Sequence, residues 1–378
     1  MNKWLKLLGI ALILLSLRFT YTLALGAKML LTFNSFNTTR NLDLVVIQFL
    51  SKQLPLTYSI LISFLISSLL LVAAVYYFNE SIGPNQELGF YATFIYVTSV
   101  PTYIFLGKVP LIYDATSLVL FIATLYSLSR IELRENKKIL NFFIFVISWG
   151  IIVFEANILV QIFIFSFLAI VILINFHKDI SFLKNKIVII ITFVITVFLI
   201  LEKNSSYFYT MLFTTLFFMA SYSLLNEKVI RGKTNNYLVK VQNKLITILK
   251  KPSVLLLTFI AATGSSIFFN DIDKNFLCII ISLIINFYFF AVGFNKNTNK
   301  EIELFVPLML IIYLVSLIFN SIIPFEYFAN YLVLISASIS GAGIKELVEN
   351  SNLTDRYMFT YIISYFSILL LAIPLLVF

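Results

Sequence analysis

Residues 107–130 read GKVPLIYDATSLVLFIATLYSLSR. From Ala115 onward the stretch is almost wholly apolar, and it closes on Arg130, the first residue of a basic turn. About 20 apolar residues are what a helix rising 1.5 Å per residue needs to cross roughly 30 Å of hydrocarbon. The segment therefore reads as a membrane-spanning helix with a carboxylate, Asp114, a few residues inside its start.

The same pattern recurs along the chain. With 60% hydrophobic and 12% charged residues and a mean hydropathy of +0.99, the composition lies far from that of a soluble globular domain. The hydropathy pattern predicts helices near 5–33, 56–78, 88–106, 110–129, 139–155, 157–175, 187–201, 207–225, 253–269, 275–293, 303–322, 329–344 and 357–377, with the weakest signal at 329–344. The expected architecture is all-α: a polytopic integral membrane bundle of about 13 spans in a single domain, residues 1–378. An outer loop (34–55) interrupts the N-terminal helices (1–225), and a basic loop (226–252) separates them from the C-terminal helices (253–378). The basic, apolar start MNKWLKLLGIALILLSL continues through RFTYTLALGAKMLLTF with no small-residue cleavage site, so it is expected to stay as the first helix.

Basic loops remain cytoplasmic, which orients the bundle. With the N-terminus inside, the cytoplasmic segments collect 20 of the 27 Lys and Arg. The outer segments collect only Arg40, Lys52, Lys108, Lys203 and Lys274. The net charge of +9 is then a consequence of topology, and nucleic acid is not needed as a partner. One cysteine, Cys278, and one histidine, His177, are too few for a disulfide framework, a thiolate metal site or a histidine acid–base pair. The expected location is a bacterial inner or plasma membrane, crossed many times.

Acidic residues follow a different rule, because they contribute little to orientation. Asp43, Asp114, Glu155, Glu202, Asp271, Asp273 and Glu326 all fall on the outer side or in the outer ends of helices, which places any chemistry there. The outer loop holds an apolar stripe, Leu42, Val45, Val46, Phe49 and Leu50, at the spacing of a short interfacial helix. Asp43 near its start is either a base or simply a favourable charge at a helix N-terminus. Asp114 at membrane depth must face protein or water. It either lines a cavity or forms an ion pair with Lys108, Lys28 or Arg18. Glu155 sits where two helices meet with almost no loop, and is a ligand-facing acid or a solvated turn residue. Arg18, deep in the first helix, and Lys28, nearer the interface, would suit a phosphate, which Arg holds through charge-assisted bidentate bonds. The 40 Phe and 20 Tyr are read as lipid-facing bulk and belt residues, and SGAGIK at 340–345 lacks the spacing and strand of a phosphate loop.

A first helix, an outer loop with an acid and an interfacial helix, then P-x-IYDATSLVLFIATLYSLSR, a basic turn and a helix ending in FEANIL together resemble the polytopic GT-C glycosyltransferases associated with bacterial polysaccharide synthesis, including O-antigen and capsule of the cell envelope. The likeness covers residues 1–175, with Tyr113 and Asp114 matching the first element and Glu155 the second. The outer loop departs from the family pattern, offering Asp43 alone where an acidic pair is usual. The resemblance implies a polyprenyl-phosphate-linked sugar as donor, transfer at the outer face, and Asp43 or Asp114 as general base. Arg18, Lys28, Arg40, Lys108, Tyr113 and Glu155 would bind the substrate. These residues name no particular cofactor, and the reaction would accommodate a divalent cation. Two other functions fit the composition: a transporter or flippase of lipid-linked oligosaccharides with Arg18, Asp114 and Glu155 along its path, and a non-catalytic membrane scaffold using the basic loop.

Overall fold

The computed structural model describes residues 3–24, 42–82, 86–102, 135–155, 251–269, 274–294 and 325–350, with further positions in 116–127, 240–248 and 305–314. Among the described residues there is no strand. The helices are α1 (Lys3–Ala24), α2 (Leu42–Ser51), α3 (Leu56–Ile82), α4 (Gln86–Thr98), α5 (Glu135–Glu155), α6 (Pro252–Phe269), α7 (Lys274–Phe294) and α8 (Phe325–Asn350). The described positions within 116–127 and 305–314 are helical too. The expected spans at 157–175, 187–201, 207–225 and 357–377 lie outside the described residues.

Helix ends follow local chemistry. α2 closes with the Gln53 and Leu54 amides both donating to the Leu50 carbonyl, and Pro55, which lacks an N–H, begins the next turn by accepting from Ser59. Pro252 sits at the first position of α6, where its missing donor costs nothing. Within α2 the protein-facing residue is Ile47, 3% exposed, whereas Phe49, 200° further round the helix, is 64% exposed. Of the expected stripe, Phe49 thus faces away from the protein, while Val46 and Leu50 are half-buried.

Three helices are long and apolar enough to cross a membrane: Leu56–Ser81, Phe276–Phe294 and Phe328–Leu347. On α3, α5 and α7 the residues are distributed inside out. On α7, Leu277, Ile281, Ile284 and Tyr288 form an exposed apolar stripe, while Ser282 and Asn286 are buried. On α5, Ile139, Phe143 and Ile147 are exposed and Asn141 and Ser148 buried. On α3, Ser59, Ser63 and Ser67 face inward and Leu61, Leu69 and Leu70 outward. In water this arrangement is unfavourable on both faces; in lipid the apolar side is solvated and the polar side finds protein partners.

The stretch with the weakest hydropathy, 329–344, is the centre of the bundle. α8 runs well beyond it and packs most extensively on α7 and then on α4, with α4 against α3 and α1 against α3. Its span is 89% buried, against 50% for that of α3 and 44% for that of α7. Protein, not lipid, surrounds α8, so its sequence does not need to be greasy and can use small residues for close approach. A Cβ added to Gly293 would collide with the Ile339 carbonyl oxygen and stand 2.7 Å from the Gly343 nitrogen. One added to Gly343 would collide with the Phe289 carbonyl oxygen. One on Gly341 would lie 2.8 Å from the Ala92 nitrogen of α4. SASISGAG at 336–343 is therefore a packing surface on two sides.

Candidate functional site

The expected site residues are placed only in part. Arg18 lies on α1, Asp43 is the second residue of α2 and Glu155 the last of α5; their side chains fall outside the described set. Lys28, Arg40, Lys108, Tyr113 and Asp114 also lie outside the described residues. Among the described residues no group of three or more His, Cys, Asp or Glu converges as a metal site would require.

What the described helices bring together is a neutral polar seam where α4, α7 and α8 meet. It begins at a break. The span expected as one helix over 88–106 is interrupted at Ser99, after α4 ends at Thr98. Pro101 is the physical reason. Its ring collides with the carbonyl four residues earlier, Val97, and disfavours helical geometry at Val100. The interrupted backbone is buried and repaired locally. The Ser99 hydroxyl donates to the Tyr96 carbonyl at 2.9 Å and meets Thr102 Oγ1 at 2.7 Å. The Val100 amide donates to Ser282 Oγ of α7 at 3.2 Å. Irregular backbone at membrane depth survives only where protein or a cavity supplies such partners.

From there the seam continues along α8. The wholly buried Tyr96 hydroxyl donates to Asn330 Oδ1 at 3.3 Å. Further along, Asn286 Nδ2 donates to Ser336 Oγ at 3.3 Å, and the Ser340 hydroxyl donates to the Asn286 carbonyl at 3.2 Å. Asn286 and Ser336 also line a cavity of ≈ 20 Å³ with Phe259, Leu283, Phe290 and Leu332. That is room for about one water, and Asn286 Oδ1, which has no partner among the described residues, gives it an acceptor. A second polar knot ties α3 to α5, where the Tyr77 hydroxyl donates to Asn141 Oδ1 and lies 3.5 Å from Ser127 Oγ.

Among the described residues the seam contains hydroxyls and amides and no ionised group, and these bind and orient by hydrogen bonding without supplying a general base near neutral pH. Sequence reasoning followed charge and passed over it. Three signals pointed to it: Pro101 inside an expected span, asparagines at 286 and 330 inside apolar helices, and the small-residue run 336–343. No protein-family model, curated protein or solved structure matches the chain.

Proposed function

We propose that this chain is a multi-pass protein of a bacterial plasma membrane, with about 13 spans and a cytoplasmic N-terminus, that transfers or polymerises sugars from a polyprenyl-phosphate carrier at the outer face. The inside-out helices support the membrane setting. The catalytic reading is supported by one arrangement above all: a short helix, α2, lies between the long helices α1 and α3, packs on α3, and has Asp43 in its first turn. An acid on an outer interfacial helix stands where a lipid carrier presents its headgroup and an acceptor arrives from water.

In this reading Asp43 or Asp114 takes the proton from an acceptor hydroxyl as that oxygen attacks the anomeric carbon. The bond from that carbon to the carrier phosphate breaks, and the phosphate leaves with the electron pair. Arg18, Lys28, Arg40 and Lys108 offset its charge, while Tyr113 and Glu155 orient the sugar. Replacing Asp43 and Asp114 by Asn in turn, in the host, and profiling the length of surface glycans tests this. A base loss of two or more orders of magnitude shortens or abolishes the glycan in one variant; unchanged glycans in both overturn the proposal.

A second reading has its own observation. The buried break at Ser99, bonded to α7 through the Val100 amide, has the form of the discontinuous helices that line transport paths. A flippase or transporter using the neutral seam would lose flux in Ser282→Ala or Asn330→Leu vesicles and keep it in Asp43→Asn, the opposite pattern to the enzyme.

A further inference from the structure

The loop between the two halves of the chain carries a one-sided basic face. Between Glu227 and Asp271 there is no acidic residue, while Lys228, Arg231, Lys233, Lys240, Lys244, Lys250 and Lys251 all fall in its first 24 positions. Positions 240, 244, 247 and 248 are helical, and at 100° per residue they lie within about 100° of one another around that helix. Lys240, Lys244, Thr247 and Ile248 are all exposed, and so is Lys251. The side of this segment that faces outward therefore carries cations beside an apolar residue.

Its position is fixed by the helix that follows. Lys251 directly precedes α6 and is tied to both sides: its amide donates to the Ile248 carbonyl at 3.1 Å, and its own carbonyl accepts from Val254 and Leu255 at 3.0 and 3.2 Å. α6 is apolar and turns Leu256, Leu257 and Ile260 outward, 48%, 66% and 56% exposed. A lysine at a helix N-terminus opposes the helix dipole, so Lys251 does not serve the helix that it precedes. It does stand at the level where an exposed apolar helix surface begins, which in a bilayer is the headgroup layer.

We infer that Lys240, Lys244 and Lys251 form a docking face for the anionic headgroups of the cytoplasmic leaflet. The occupant is a phospholipid phosphate held by lysine charge, with Ile248 reaching the acyl boundary. This rests on the membrane reading above and is independent of the glycan reading. An acidic protein partner would use the lysines but leave the adjoining lipid-facing surface of α6 unexplained.

The test uses the full-length chain bearing an environment-sensitive fluorophore at Ile248→Cys, Cys278 being buried. It is reconstituted into vesicles of phosphatidylcholine alone or mixed with phosphatidylglycerol. The expected result is a shift toward apolar emission only in the mixed vesicles, reversed by high salt. Each cation near an anionic surface is worth about fivefold, so Lys240→Gln, Lys244→Gln and Lys251→Gln together should weaken the response to phosphatidylglycerol roughly a hundredfold. An equal shift in neutral vesicles, no shift in either, a shift that persists in the triple variant, or one produced by inorganic phosphate alone overturns the assignment. A chain that fails to float with vesicles of either kind removes the membrane reading as well. A triple variant that floats normally shows that the substitutions spared the fold.

Discussion

Gly293→Ala is the substitution whose outcome the structure determines most sharply. The new Cβ would stand 2.7 Å from the Gly343 nitrogen and nearer still to the Ile339 carbonyl oxygen, where ordinary contact begins at 3.4 Å. Both obstacles are backbone, so no side-chain rotation relieves them. α7 and α8 must separate at the crossing by at least 3.4 less 2.7, or about 0.7 Å, and by more to clear the Ile339 oxygen. A gap of that size forfeits a quarter to a half of the dispersion attraction across the contact. Overpacking costs about 1–3 kcal/mol, and a rigid obstacle puts this case at about 3. Gly264 and Gly150 supply the control, because a Cβ at either meets nothing within 4 Å. There alanine should stabilise its helix by about 0.5–1 kcal/mol through lower chain entropy. Thermal unfolding in mild detergent, followed by loss of the monodisperse peak on size exclusion, should show Gly293→Ala lower by roughly 5 °C and Gly264→Ala unchanged or higher. Gly343→Ala should resemble the first, and the double variant should cost less than the sum, since both atoms contest one contact. A Gly293→Ala protein as stable as Gly264→Ala would refute the close crossing of α7 and α8.

Other outcomes follow from the seam and the topology. Ser282→Ala leaves the Val100 amide without its acceptor at the helix break and should cost about 1–3 kcal/mol in the same assay, whereas Ser265→Ala, whose hydroxyl only returns to its own helix at Ala261, should be nearly neutral. Tyr96→Phe removes the donor to Asn330 and should cost about 1 kcal/mol, the range of interhelical hydrogen bonds in bilayers; a more stable variant would exclude that bond. Lys52→Cys and Lys244→Cys, both at exposed positions, should be labelled by an impermeant reagent from opposite sides of the membrane, outside and inside respectively. Labelling of both from one side would remove the proposed orientation.

Hydropathy made the individual helices legible and left their arrangement unread. α3, α6 and α7 lie within a few residues of the expected spans because lipid-facing helices announce themselves by composition. α8 gave the faintest signal for the reason that makes it central: a helix wrapped by other helices is selected for small residues and internal hydrogen bonds. α2 was readable from its stripe, but the residue it buries most deeply among those described, Ile47, lies outside that stripe. The break at Ser99 was signalled by Pro101, which an average over twenty residues dilutes. Buried Asn286 and Asn330 carry no charge, so a search for ionised groups does not notice them. The charged candidates, from Arg18 to Glu155, were legible as residue types, while the grouping of their side chains depends on the fold around them.

The seam between α4 and α8 joins residues that are made at very different times. Tyr96 and Asn330 are 234 positions apart. At roughly 5–20 residues per second, a ribosome finishes the second some 12–50 seconds after the first. Throughout that interval the Tyr96 hydroxyl waits for its acceptor on α8, whereas the break at Val100 gains its partner earlier, when Ser282 of α7 is made. The side of α4 against which Gly341 packs thus lacks its native neighbour until α8 is made. Assembly requires either an insertion partner that shields the polar groups of α4 or a temporary occupant of the α8 position, and a chain truncated before residue 325 should be taken up by membrane quality control.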